Sequence, residues 1–151
     1  MIKRKRAIEH RLIQEPKNYE LLAEWTAITH GIDPYVFKAQ IRQESGFNPT
    51  IISYQDGKPC AYGIAQFIPS TGRMFGLNSQ KDLFNPRKAL RASARMMKGL
   101  LNKYGTYERA LSAYNSGYPN AYKDPSFAKG QTYNYVIAIK QGAKRERRLT
   151  E

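Results

Sequence analysis

The sequence has little cysteine, histidine and acid, and it lacks long apolar runs. Its single cysteine, Cys60, excludes an internal disulfide, and only two histidines, His10 and His30, accompany it. These three residues do not have the spacing of a zinc site, so we expect no metal ion and no other cofactor. No apolar segment has the length of a transmembrane helix, and none of signal-peptide length follows the basic first residues. We therefore expect the protein either to stay in the cytoplasm or to leave it by a route other than general secretion.

Basic residues outnumber acidic ones by 25 to 12, which gives a net charge of +13. Such an excess favours a polyanionic partner, such as nucleic acid, anionic lipid or a bacterial wall polymer. Part of the charge lies in two runs, at residues 3–6 and 144–148. Solvated helix ends that aid solubility would account for these runs equally well. Because 41% of the residues are hydrophobic, we expect residues 1–151 to fold as a single domain.

One predicted helix places an acid among apolar residues. Asp33 is a typical N-cap and is followed by proline, a favourable first helical residue. Phe37, Ile41 and Glu44 then follow at helical spacing and share one face of the predicted helix. Glu44 at the edge of this face would reach water or pair with an arginine. Alternatively, apolar surroundings would keep its carboxyl protonated, and it would serve as a general acid.

The rest of the chain is dominated by helical patterns. Spacing, caps and stop signals predict helices over residues 4–14, 18–31, 33–46, 69–76, 85–105, 106–117 and 131–141. Residues 50–68 lose the helical period and predict a small extended lobe or β-hairpin. Residues 117–130 contain two prolines and are predicted to form a surface loop. The predicted fold class is therefore mainly α, with one small β lobe.

Four short segments follow one another in a recognisable order. Residues 44–49 read Glu-Ser-Gly-Phe-Asn-Pro, and residues 63–71 read Gly-Ile-Ala-Gln-Phe-Ile-Pro-Ser-Thr. Residues 113–117 read Ala-Tyr-Asn-Ser-Gly, and residues 131–136 read Gln-Thr-Tyr-Asn-Tyr-Val. Over residues 20–140 this series resembles the soluble lytic transglycosylases, peptidoglycan-cleaving enzymes with a lysozyme-like fold. The resemblance implies a lysozyme-like catalytic domain.

The resemblance also implies roles for particular residues. Glu44 would be the catalytic acid and base, and the implied substrate-binding residues are Ser45, Gln66, Tyr114, Asn115 and Tyr135. The Gln66 amide would contact a sugar N-acetyl group, and Tyr135 would hydrogen-bond the Glu44 carboxyl. For three of these residues a purely structural role is the alternative. Tyr114 suits the core, Asn115 suits a helix stop, and Ser45 suits a helix cap.

By this resemblance, Glu44 would protonate the glycosidic oxygen between MurNAc and GlcNAc. The substrate's N-acetyl group would assist at C1, and the sugar's 6-hydroxyl would close a 1,6-anhydro ring. The chain departs from the family pattern at Cys60, Ala65 and Gln131, where the family has glycine, methionine and glutamate. The segment before the second motif is also longer than usual and contains Asp56.

A second acid in that loop is similar to goose-type lysozymes, so one alternative is hydrolysis of the same bond by Glu44 and Asp56. A second alternative is a non-catalytic, cationic module that binds wall polymers or nucleic acid. The sequence contains no recognisable nucleic-acid-binding signature, and we expect peptidoglycan strands rather than nucleic acid as the partner. We also expect a monomer. The lack of a signal peptide favours a phage lysin in the host cytoplasm with holin-type release, or a virion component, acting on the periplasmic cell wall.

Overall fold

A computed structural model describes residues 18–150 of the chain. The helix predicted over residues 4–14 and the basic run at residues 3–6 lie outside this range. The described part contains seven α-helices: α1 Tyr19–Thr29, α2 Pro34–Ser45, α3 Pro69–Met74, α4 Gln80–Leu83, α5 Pro86–Tyr104, α6 Tyr107–Ser116 and α7 Gln131–Thr150. Two strands, β1 Ile52–Gln55 and β2 Lys58–Tyr62, follow α2, and two short 3-10 turns, Ala121–Lys123 and Phe127–Gly130, precede α7.

Side-chain caps begin most of these helices where the sequence predicts them. The Asp33 carboxylate accepts hydrogen bonds from the backbone N–H groups of Tyr35 and Val36, and Pro34 occupies the first helical position. Asn18 and Asn85 cap α1 and α5 in the same way. Each cap satisfies helix N–H groups that have no partner within the helix. These local signals determine where α2 begins, and therefore which residues occupy its last turn.

The predicted β lobe is an antiparallel hairpin of the two strands, with Gln55 paired to Lys58. Only Asp56 and Gly57 connect the strands, with φ angles of 52° and 77°. Two consecutive positive φ values are the signature of a type I′ turn, for which Asp-Gly is a preferred sequence. The conformation of the hairpin tip therefore follows from its own two residues.

Three sequence expectations differ from the structure. The last helix does not end at residue 141 but continues to Thr150, because small and polar residues continue its buried face after the apolar residues stop. Residues 117–130 are not simply a surface loop, since two 3-10 turns lie within it and Ala121 and Gly130 are buried. The short helix α4 was not predicted, because four residues are too few for a periodic pattern.

The core lies between α2, α5, α6 and α7. Its largest fully buried side chains include Phe37, Ile41, Ile64, Leu90, Met97, Leu111 and Ile139. Helix α7 crosses α2 in the antiparallel direction, and the two backbones approach closely at Gly142. A Cβ atom on Gly142 would lie 3.2 Å from the Cβ of Ala39. Small residues at this crossing let α7 lie directly against the helix that carries Glu44.

A buried ion-pair cluster holds the same helices together. Lys38 of α2 is only 5% exposed, and its ammonium group lies 2.6 Å from Glu24 of α1 and 3.0 Å from Glu146 of α7. Burial raises the pKa of Glu146, but hydrogen bonds from Lys38 and Arg42 outweigh burial, and the net shift is downward. A buried charge without such partners would be strongly destabilising, so the cluster specifies how α1, α2 and α7 pack.

Candidate active site

Glu44 lies in the last turn of α2, on the side that faces the core. Phe37 and Ile41, which precede it on the same face, are 1% and 0% exposed. Gly46 ends the helix two residues later. The Glu44 residue itself is half-buried, so it is the point at which the apolar face of α2 reaches the surface. The helix therefore delivers one carboxyl group to the boundary between the core and solvent.

The surroundings of Glu44 raise its pKa from the ordinary value of 4.5 to about 7. Burial is the cause, because a desolvated carboxylate is less stable than the neutral acid. A hydrogen bond from Tyr135 acts in the opposite direction and favours the carboxylate. With a pKa near neutrality, Glu44 can hold a proton, release it and take it back at the pH of a cell.

Tyr135 projects from the first turns of α7, and its hydroxyl donates to Glu44 Oε1 at 2.6 Å. The residue is buried, and burial raises the pKa of its hydroxyl well above the ordinary value, with the Glu44 charge adding to the effect. Tyr135 is therefore a neutral donor rather than an acid that competes with Glu44. The hydrogen bond that the family resemblance implies is present.

Tyr114 of α6 approaches the same carboxyl group. Its hydroxyl lies 2.9 Å from Ser93 Oγ and donates to the backbone oxygen of Ala65 at 3.2 Å. Burial raises the pKa of Tyr114 strongly, and the nearby charge of Glu44 raises it further. Tyr114 thus links α5, α6 and the second motif beside Glu44, which fits both a cleft wall and the core packing that the sequence left open.

Ser45 and Gln66 join the helix end to the β lobe. Ser45 Oγ donates to the backbone oxygen of Ile64 at 2.6 Å. The Gln66 amide donates to the backbone oxygens of Ile51 and Gly63 and accepts from Ser53. Since its amide already has three protein partners, Gln66 holds the hairpin against the second motif. Its predicted contact with a sugar stays a prediction.

Asn115 is tied to the final helix rather than left open. Its Oδ1 accepts a hydrogen bond of 2.8 Å from Thr132 Oγ1, and Thr132 is buried. This bond connects the third motif to the fourth, one turn before Tyr135. The structure therefore brings Glu44, Ser45, Gln66, Tyr114, Asn115 and Tyr135 into one region through contacts among the four motifs.

Asp56 occupies a different place. It sits exposed at the hairpin tip, in a hollow lined by neighbouring hairpin residues and by Ile68 and Pro69. Neither Glu44 nor Tyr135, which donates to the Glu44 carboxyl, lines this hollow. No aspartate or glutamate between residues 18 and 150 contributes to the pKa shift of Glu44.

Three residues that lie behind the site, Gln40, Ser93 and Thr132, were not predicted as functional from the sequence. Gln40 is completely buried on the same face of α2 as Glu44. Gln40 lies at helical spacing from Phe37 and Glu44, so the sequence alone places this polar residue on the inward face of the helix. In the described range, no cluster of three or more histidine, cysteine, aspartate or glutamate side chains is arranged to hold a metal ion.

Comparisons of the sequence with known proteins identify a family and several relatives. The family model of the transglycosylase SLT domain matches residues 22–137. Membrane-bound lytic murein transglycosylase C from Histophilus somni, in strains 2336 and 129Pt, is 35% identical over 117 residues, which cover 67% of this chain and 31% of that protein. Peptidoglycan transglycosylase gp16 of Escherichia phage T7 is 31% identical over 107 residues, covering 68% of this chain and 8% of that protein.

The chain belongs to the transglycosylase SLT domain family, since the matched segment contains all four motifs. The prediction of a mainly α, lysozyme-like fold with a small β-hairpin is confirmed. The chain spans less than a third of the length of each relative named above. Within residues 18–150, no helix has the length and apolar character needed to cross a bilayer.

Proposed function

We propose that this chain is a peptidoglycan lytic transglycosylase that cleaves the MurNAc-β-1,4-GlcNAc bond and leaves a 1,6-anhydro-MurNAc end. Family membership supports the class of reaction. The observation that carries the proposal is the Glu44 carboxyl, which is desolvated to a pKa of about 7 and hydrogen-bonded to Tyr135. A carboxyl group with a pKa near 7 can serve as both acid and base in one reaction.

A transglycosylase needs only one such group, because the proton that leaves it returns to it. Protonated Glu44 gives its proton to the glycosidic oxygen as the C1–O bond breaks, and the substrate's N-acetyl oxygen supports the positive charge at C1. The resulting carboxylate then takes the proton of the 6-hydroxyl as that oxygen bonds to C1. Glu44 ends the cycle protonated, and no water is consumed.

Tyr135 has a place in each half of this cycle. While Glu44 is neutral, the tyrosine hydroxyl occupies Oε1, which leaves Oε2 for the proton that the substrate receives. After proton transfer, the same hydroxyl stabilises the new carboxylate, since hydrogen bonds to charged groups are the stronger ones. We propose that Ser45, Gln66, Tyr114 and Asn115 line the cleft, because their hydrogen bonds join the motifs around Glu44.

The net charge of +13 suits a protein that works on anionic bacterial envelopes. The similarity to a phage transglycosylase supports the proposal that this chain is a phage lysin or a virion component. We propose peptidoglycan strands as its partner and a monomer as its working form. The non-catalytic alternative does not account for the raised pKa of Glu44.

Mass spectrometry of muropeptides released from purified walls tests the proposal. A transglycosylase releases fragments with 1,6-anhydro ends, which are lighter by one water than reducing ends. Reducing ends alone would identify a hydrolase, and no release of fragments by the folded protein would favour the binding module. Glu44→Gln serves as the control, since it is nearly isosteric and lacks the transferable proton.

A further inference from the structure

Gln40 is a buried polar side chain for which the fold itself gives no reason. It is 0% exposed, and neither its Nε2 nor its Oε1 meets the geometry of a hydrogen bond to any residue of the described chain. An amide in this position is costly, because it has lost its bonds to water without replacing them. Methionine or leucine would fill a similar volume without that cost.

The position of Gln40 connects it to the proposed acid. It precedes Glu44 by four residues on α2, so both side chains lie on the same face, one turn apart. Tyr135 reaches this face from α7 and bonds to Glu44. We propose that Gln40 is a positioning residue, whose amide donates to the Tyr135 hydroxyl oxygen and so directs the hydroxyl proton toward Glu44.

The electrostatics of Tyr135 support the donor orientation. Burial raises the pKa of Tyr135 most, and the charge of Glu44 and the neighbouring Tyr114 raise it further, whereas Gln40 lowers it. An amide lowers the pKa of a phenol when its N–H group faces the oxygen, because it stabilises the negative charge there. The lowering by Gln40 is the effect expected when Nε2 rather than Oε1 faces Tyr135, which is the orientation that the proposal requires.

This donor determines which way a proton can point. A tyrosine hydroxyl can either donate to Glu44 or accept from it when the carboxyl is neutral. With Gln40 donating to the hydroxyl oxygen, Tyr135 is directed to donate to Oε1. The proton of neutral Glu44 then stays on Oε2, facing the substrate, instead of turning inward to an unproductive bond with the tyrosine.

A double-mutant cycle tests this inference, and its kinetic part depends on the proposed function of Glu44. Gln40→Met removes the donor and keeps the volume. We expect kcat to fall by about three- to tenfold with KM unchanged, as befits one hydrogen bond. In a Tyr135→Phe background the same substitution should change kcat less than twofold, because Gln40 acts through the missing hydroxyl. An equal loss in both backgrounds, or a change in KM alone, overturns the inference.

A second measurement does not depend on catalysis. In protein labelled at glutamate side chains, the carboxyl carbon of Glu44 reports its pKa by NMR. Gln40→Met should move this pKa upward, because Tyr135 becomes free to accept from the neutral acid. The substitution should produce no further shift in Tyr135→Phe. An unchanged pKa in Gln40→Met, with Tyr135→Phe shifted, would show that Gln40 does not position the tyrosine.

The two proposals fail differently. If Glu44→Gln keeps its activity while Gln40→Met still shifts the Glu44 pKa, the proposed function is wrong and the positioning role stands. If Glu44→Gln is inactive and Gln40→Met changes neither kcat nor the pKa, only the positioning role is wrong. Ile41→Val is the matched control for disturbed packing in α2, and it should lower thermal stability without shifting the pKa. Gln40→Leu replaces the methionine variant if that variant folds poorly.

Discussion

Tyr135 and Glu44 lie 91 residues apart in the chain, yet the tyrosine hydroxyl contacts the carboxyl at 2.6 Å. The contact results from the antiparallel packing of α7 on α2. Farther along the same crossing, Gly142 faces Ala39, and Arg147 pairs with Asp33, the cap of α2. The position of the tyrosine is therefore set by a whole helix interface rather than by a flexible loop.

The first prediction concerns the proposed acid itself. Glu44→Gln should fold normally and lose at least about 100-fold in wall-clearing activity, because general acid catalysis contributes roughly 10²–10⁴-fold. Turbidity of a wall suspension measures the rate, and circular dichroism checks the fold. A folded variant that keeps more than a tenth of the wild-type rate, a threshold about tenfold above that expectation, would remove Glu44 from the acid role.

The second prediction concerns pH. Activity should decline on the alkaline side with a midpoint near pH 7, where Glu44 loses its proton. Tyr135→Phe removes a hydrogen bond that favours the carboxylate, so the midpoint should move upward by about one to two pH units while the maximal rate falls. Tyr19→Phe, on the outer surface of α1, is the matched control and should leave the midpoint in place. A downward shift in Tyr135→Phe would contradict the donor role.

The third prediction links the same pKa to stability. The folded pKa of Glu44, about 7, lies above its ordinary value of 4.5. The folded protein therefore binds a proton more tightly than the unfolded chain, and the resulting stability is lost as pH rises from about 4.5 to 7. Glu44→Gln should avoid this loss and be more stable than wild type at pH 8, by at most about 3 kcal/mol. Denaturant unfolding at pH 4 and pH 8 measures the difference, and an equal difference at both values would refute a raised pKa.

Much of the fold is readable from local signals. The Asp33-Pro34 start places α2, and the Asp56-Gly57 pair places the hairpin turn, because each signal acts within a few residues. The end of α7 is not readable in this way. After Ile139 its inward positions are Gly142, Ala143 and Glu146, which carry little apolar surface, and the contacts of Gly142 and Glu146 with α2 place them inward.

The site divides in the same manner. The position of Glu44 on the apolar face follows from helical spacing, and its raised pKa follows from that position. The bonds of Asn115 to Thr132 and of Ser45 to Ile64 join distant segments, so no local pattern contains them. The family resemblance implies that Gln66 binds substrate. The three protein partners of its amide are contacts within the folded lobe, which the sequence does not reveal. That residues 1–151 form one domain stays a prediction.

The fourth prediction uses two glycines with similar backbone conformations. Gly57 and Gly63 have φ angles of 77° and 81°. A Cβ on Gly57 meets no atom within 4 Å, whereas a Cβ on Gly63 would lie 2.1 Å from the backbone oxygen of Leu83. Gly57→Ala should therefore cost only the left-handed conformation, about 1–2 kcal/mol.

Gly63→Ala must in addition separate the second motif from the end of α4. We expect a loss greater than about 3 kcal/mol, in the range of severe packing defects. Thermal or denaturant unfolding of the two variants measures the difference between them. Equal losses would mean that the close approach at Gly63 is easily relieved and does not hold the lobe in place.

The last prediction decides between the two glycosidase mechanisms. An inverting hydrolase holds a water between two carboxyl groups that are roughly 6.5–9.5 Å apart. Asp56 instead lies exposed at the tip of a turn, and the turn accounts for an aspartate there. In the described chain, no other carboxyl group contributes to the pKa shift of Glu44. Asn-Gly suits the same turn as Asp-Gly, so Asp56→Asn should preserve the hairpin and most of the activity. Its products should carry 1,6-anhydro ends, as in wild type. If the protein is instead a hydrolase with Asp56 as its base, Asp56→Asn should lower activity by roughly 10²–10⁴-fold. The wild-type protein should then release reducing ends, and Glu44 should still be required.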